Sequence, residues 1–214
     1  MLKVDLHCHS NVSDGVMTPA AVAEHARKGG VDVWALTDHD EVGGIAAARV
    51  AAVQQGMRFV TGVEISITWA KETVHIVGLH IDEHNRELTE GLARTRSGRD
   101  NRGREIARQL ALAGIDGAYE GALQFVGNPD LMSRTHFARY LVDIGACADI
   151  PEVFKKYLSE GRPGYVPHAW GTLAETVGWI RGAGGIAVIA HPGRYRFSQL
   201  AQGELFDQFK QLGG

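Results

Sequence analysis

Val31-Asp32-Val33-Trp34-Ala35-Leu36-Thr37-Asp38-His39-Asp40 is an apolar run of strand length that ends in four polar residues. A helix signal stands on each side of it. Upstream, Thr18-Pro19 reads as an N-cap followed by proline at the first helical position, and the helix runs to Lys28 before Gly29-Gly30 stops it. Downstream, the alanine-rich Glu41 to Gln55 is helical and ends at Gly56. Lys3 to His9, Arg58 to Val63 and Thr73 to Ile81 read as further strands. The β-α-β-α-β alternation predicts a parallel sheet.

The rhythm changes after this. His84 to Ala113 is charged and helical, and Asp116 to Phe125, Arg134 to Ile144 and Asp149 to Leu158 are shorter helices. A helix from Leu173 to Gly182 and a strand from Gly185 to Ala190 resume the first pattern. The sequence thus predicts an α/β domain over 1–100 and 168–214, its sheet open or closed into a barrel. An all-helical insertion over 101–167 interrupts it.

The gross numbers exclude several classes. The 214 residues carry a net charge of −3, which does not suit a bulk nucleic-acid or membrane binder. No run reaches the length of a membrane span. The opening Leu2-Lys3-Val4-Asp5-Leu6 shows no charged-then-apolar leader, so the expectation is a cytoplasmic protein. Cys8 and Cys147 are too few for a disulfide framework and are expected to be reduced thiols. No stable protein partner is implied.

The ten histidines are informative through their placement. His7 and His9 are two apart and share one face of a strand, with Cys8 on the other. Asp14 follows in a loop, where a turn aspartate before Gly15 is the plain alternative. His39 closes the second strand as a ligand candidate. Beside it, Asp38 is placed to orient a histidine, and Asp40 is available as the N-cap of the next helix. Glu64 ends the third strand, His75 lies on the fourth, and His191 follows an apolar strand as Ala190-His191-Pro192-Gly193. Strand after strand ends in His, Asp or Glu. Imidazole and carboxylate ligands suit Mn, Zn or Fe, and their number implies two or three divalent ions.

These residues, in this order, resemble the PHP family (polymerase and histidinol phosphatase) of the amidohydrolase superfamily. The matching pieces are Asp5-Leu6-His7-Cys8-His9-Ser10, Ser13-Asp14-Gly15, Ala35-Leu36-Thr37-Asp38-His39-Asp40, Gly62-Val63-Glu64, His75 and Ala190-His191-Pro192. The resemblance implies a distorted (β/α)7 barrel with three metal ions. His7, His9 and Glu64 would hold the first, Asp14 and His39 the second, and Glu64, His75 and His191 the third. The family also ends its site with an Asp-x-His pair. This chain has no histidine after His191, so the expectation is that the barrel is incomplete and a C-terminal part lies outside the sequence.

Within the family, the insertion is similar to that of bacterial nucleoside 3′,5′-bisphosphate phosphatases, with Ser133-Arg134-Thr135-His136 as the supporting motif. This implies removal of a nucleoside 3′-phosphate, leaving the 5′-monophosphate, and 5′-3′ exoribonuclease action on short RNA. Arg134 and Arg194 are the candidates for phosphate binding, because a guanidinium matches phosphate oxygens bidentately. Ser133, Asn101 and Arg102 are further substrate-binding candidates. His136 is a candidate for phosphate contact or for protonating the leaving oxygen, and Asp38 is the other candidate catalytic residue. Tyr195 and Phe197 are candidates for stacking on a base. The competing readings are a histidinol-phosphate phosphatase and a metal-binding module without turnover.

Overall fold

The computed structural model describes residues 1–214. The chain divides into two compact units, Met1–Thr95 with Ala169–Gly214, and Arg96–His168.

The first unit is built on a five-stranded sheet in the order β1-β2-β3-β4-β5. The strands are β1 (Val4–Asp5), β2 (Val33–Leu36), β3 (Arg58–Trp69), β4 (Glu72–Leu79) and β5 (Ile186–Ile189). β1, β2 and β3 are parallel, as the alternation predicts. β4 corrects the expectation, because it pairs antiparallel with both β3 and β5. The cause is a two-residue turn, Ala70-Lys71, with both residues at positive φ (48° and 68°). Such a turn matches the strand twist and closes a hairpin rather than a crossover.

β3 runs six residues past its predicted end, because Ile65-Ser66-Ile67 continues the alternation beyond Glu64 and pairs with Ile76-His75-Val74. β1 is shorter than predicted. His7 and His9 lie past its end, so it is the loop beyond the strand that carries them.

Helices α1 (Pro19–Lys28), α2 (Ile45–Gln54) and α8 (Leu173–Gly182) cover the sheet. Thr18 caps α1 through Ala21 N–H. Thr172 and Glu175 form a reciprocal capping box on α8. All four residues of β2 are buried, with Trp34 and Ala35 fully so. A strand buried on both faces has no polar alternation, which is why its apolar run is unbroken. Gly62 allows β3 to approach β2 closely, since a Cβ there would lie 2.7 Å from Thr37 Cγ2 and 2.9 Å from Leu36 O. α3 (Arg86–Ser97) closes off Leu88 and Leu92 beneath Trp179, and α9 (Gln199–Gln211), which the sequence reading missed, buries Leu205. No helix is long and apolar enough to cross a membrane.

The second unit contains α4 (Arg99–Leu112), α5 (Ala118–Leu123), α6 (Arg134–Asp143) and α7 (Ile150–Val153), with no strand. Its separate core gathers Ile106, Leu110, Phe137, Leu141, Val153 and Leu158. Gly121 lets α5 lie against the Tyr140 ring, where a Cβ would come within 2.2 Å.

Candidate metal centre

Glu64 is the hub of the site. Its side chain is 1% exposed, and no Lys or Arg faces it. Five imidazoles do. His7 Nε2 and His9 Nε2 lie 3.1 Å from Oε2, and His39 Nδ1 lies 3.4 Å from the same oxygen. His75 Nδ1 and His191 Nε2 lie 3.2 and 3.1 Å from Oε1. Asp14 joins through His39, whose Nε2 is 4.0 Å from its carboxylate. All seven predicted ligand candidates therefore meet in one place. Three overlapping groups have ligand atoms within 4.8 Å of one another: His7, His9, Glu64; His9, Asp14, His39; and His39, Glu64, His75.

Two observations test whether this donor set fits cations. The first is charge. Burial pushes His39 down to about 4, with the positive charges of His9 and His75 adding to the effect. His39 therefore faces the carboxylate as a neutral imidazole, the form that binds a cation. The second is aim. His39 Nδ1 and His75 Nδ1 come close to Glu64 without the alignment of a hydrogen bond. Burial would raise the Glu64 carboxyl, but the close imidazoles of His191, His7, His75 and His9 outweigh it and hold the group well below the carboxylate range. An ionised buried carboxylate ringed by imidazoles fits hard or borderline divalent ions.

The elements hold these side chains through a frame of their own. The end of β2 is joined to β3 by an isolated parallel bridge between His39 and Glu64, with Asp40 N donating to Glu64 O and Glu64 N to Asp38 O. Asp38 corrects the expectation that it orients a histidine. Its carboxylate accepts from Ser10 N (2.7 Å), Ser10 Oγ (2.7 Å) and Ser13 Oγ (2.6 Å), and so ties down the loop carrying His9 and Asp14. Burial pushes the Asp38 carboxyl up in spite of these bonds. Asp38 is a positioning residue.

Asp40 likewise does not cap α2. That helix starts at Ile45 with Gly44 as its cap, and Glu41 serves the intervening N–H groups of Val42 and Gly43. Asp40 is fully buried at φ 51°, and it accepts from Ser66 N (2.8 Å) and Ser66 Oγ (3.1 Å). Ser66 pairs with His75 across the hairpin, so one aspartate fixes both strands that bear ligands. Asp40→Asn keeps an acceptor for Ser66 N and tolerates the left-handed conformation. Asp40→Gly loses the acceptor but relieves the backbone, and Asp40→Ala loses the acceptor and keeps the strain. Urea unfolding should rank the losses Asn, Gly, Ala, with Ala costing about 2–4 kcal/mol in all. Equal loss in Asn and Ala would contradict this role.

His191 is also strained, at φ 31°, and a short 3-10 turn from Pro192 to Arg194 follows it. Tyr195 Oη accepts from His75 N at 2.9 Å. The serines and this tyrosine eluded sequence reading. Ser10 and Ser13 sit beside the ligand motifs, which was the available signal, but Ser66 and Tyr195 offered none. Cys8 points away from the cluster, with Trp34 Nε1 donating to its sulfur, and burial pushes its thiol up to about 12.

Of the substrate-binding candidates, Arg194 is exposed and three residues beyond His191. The others belong to the helical unit. Ser133 caps α6, and its N–H donates to His136 Nδ1 at 3.0 Å in a reciprocal capping box. His136 is fully buried. Arg134 lies 5.8 Å from the Phe154 and Tyr165 rings and donates to Leu158 O. Arg102 donates to Val166 O, while Asn101 is exposed on α4. Positive charge is concentrated here. Burial and the charges of Arg134 and Arg99 push Arg102 down to about 10, and burial with Arg102 and Arg99 lowers His168.

Comparison with known proteins gives three results. Residues 5–161 match the PHP domain family. The chain is 49% identical over 214 residues to a 3′,5′-nucleoside bisphosphate phosphatase of Chromobacterium violaceum, covering 100% of this chain and 75% of that protein. It is 41% identical over 212 residues to a 5′-3′ exoribonuclease of Haemophilus influenzae, covering 99% and 77%. The solved structure of an amidohydrolase from Chromobacterium violaceum, with bound sulfate and no metal, superposes with a TM-score of 0.97 at 49% identity, covering 99% of this chain and 75% of that one.

Proposed function

We propose, from the premise that this chain belongs to the PHP domain family, that it is a metal-dependent phosphoesterase acting on nucleoside 3′,5′-bisphosphates and on short RNA. The observation that carries the reading is the convergence of five imidazoles on the buried Glu64 carboxylate. In this reading the five strands belong to a (β/α)7 barrel, and His7, His9, Asp14, His39, Glu64, His75 and His191 hold two or three ions of Mn, Zn or Fe. Such ions neutralise the phosphoryl oxygens and make a nucleophile available at neutral pH.

The chain's own residues supply position and charge. Glu64 offers both oxygens and is held ionised by its neighbours. Asp38 and Asp40 fix the loop and hairpin on which its partners sit. Arg194 is available to a phosphate oxygen as a flat two-pronged donor. The Ser133 bond to His136 Nδ1 puts the proton of the neutral ring on Nε2, the form that can donate to a phosphate. The concentrated positive charge of Arg99, Arg102 and Arg134 within the helical unit suits a phosphate. No observation favours histidinol phosphate.

Phosphate release from adenosine 3′,5′-bisphosphate and from histidinol phosphate, measured beside release of nucleoside 5′-monophosphate from a short 5′-phosphorylated RNA, with Mn²⁺ supplied, tests the reading. Turnover of the bisphosphate at least tenfold above histidinol phosphate is expected. The reverse order, or no turnover of any of the three, would overturn it.

A further inference from the structure

We propose that the surface running from His191 through Tyr195 and Phe197 to Trp69 is a track for single-stranded RNA lying beyond the reacting nucleotide. This rests on the phosphoesterase reading above and assigns a second subsite to the same substrate class.

The sequence after His191 alternates base and ring, as Arg194-Tyr195-Arg196-Phe197. In the structure Arg194 and Arg196 are exposed, while Tyr195 and Phe197 are half-buried against the core. The rings form a chain that starts at a candidate ligand. His191 and Tyr195 have centroids 5.5 Å apart, Tyr195 and Phe197 5.6 Å, and Phe197 and Trp69 5.1 Å. Trp69 then borders a recess of about 420 Å³, with Thr68, Leu173, Gln208 and Gln211 among its walls. Its Nε1 donates to Gln208 Oε1 at 2.9 Å, which fixes the indole and leaves the Gln208 amide N–H groups as donors.

Aromatic surface beside exposed guanidiniums is the chemistry that receives single strands. Bases stack on rings whatever their identity, and phosphates take the cations. Distance defines the ligand. Trp69 stands five residues beyond Glu64 on β3, about 17 Å along the strand and on its other face, so the track reaches it by way of the Tyr195 and Phe197 rings. A mononucleotide held at the metal centre does not span that length, and an oligonucleotide does.

The test compares substrates and then removes catalysis altogether. In Trp69→Ala and Arg196→Ala, KM for 5′-phosphorylated hexa-adenylate should rise about fivefold to a hundredfold more than KM for adenosine 3′,5′-bisphosphate. Trp69→Phe should recover most of the loss. In parallel, anisotropy of the same hexamer, labelled with fluorescein at its 3′ end, is titrated with chelator-treated protein. Weaker binding in both alanine variants, with a shallower salt dependence in Arg196→Ala, is the expected result. Arg196 is exposed, so its replacement guards against a Trp69 variant that fails to fold. Equal losses on both substrates, or hexamer binding by Arg196→Ala as tight as wild type, would overturn the track. Absence of turnover in wild type would instead count against the phosphoesterase reading, with the anisotropy still deciding the track.

Discussion

Glu64→Gln is expected to lower phosphate release by at least about a thousandfold while leaving the fold in place. The amide matches the carboxylate in volume, so the buried site stays filled. It cannot carry the negative charge that five imidazoles surround, and its NH₂ end turns a donor toward ring nitrogens. Loss of a single preorganised electrostatic contact costs about a hundredfold to a thousandfold, and Glu64 serves two of the three ligand groups at once. Metal content measured on the purified variant should fall with activity, while far-ultraviolet circular dichroism should not change. Activity within tenfold of wild type would mean that Glu64 is not the hub the geometry makes it.

Removing the ions should be as severe. Dialysis against a strong chelator is expected to bring turnover to background, and Mn²⁺ to restore it. Stability should follow. An ion present at about a hundred times its dissociation constant contributes about 2.7 kcal/mol, which for a protein of this length raises the melting midpoint by roughly 5–10 °C. Two or three ions per chain are expected by elemental analysis. A single ion with no turnover would favour the alternative of a metal-binding module, and a midpoint indifferent to Mn²⁺ would deny the site altogether.

Much of this centre was legible in the sequence because its residues are an exception to the pattern around them. His39 and His191 close apolar strands, and Glu64 is a lone charge inside a β-rich run with no partner close in sequence. The supporting contacts were less visible. Asp38 and Asp40 were recognised as polar residues needing a reason, but their partners lie 25 to 28 residues away in the chain, at Ser10, Ser13 and Ser66. A serine carries no periodic signature that announces such a bond. The direction of β4 is hidden from the sequence for a related reason. Apolar alternation records which face a strand buries and not which way it runs, and only the Ala70-Lys71 turn distinguishes hairpin from crossover. α9 went unread because it buries little beyond Leu205, so its apolar face is thin.

The β3–β4 hairpin also sets the order in which the centre is assembled. His75 follows Glu64 by only eleven residues, and a two-residue turn brings them to opposite strands in a local step of the microsecond class. His191 must close a span of 127 residues to reach the same carboxylate, a slower search. A chain emerging from the ribosome therefore has both strands that bear Glu64 and His75 long before His191 is made. Any cation held in the interval sits in a half-built cage, free to exchange with whatever metal the cell offers.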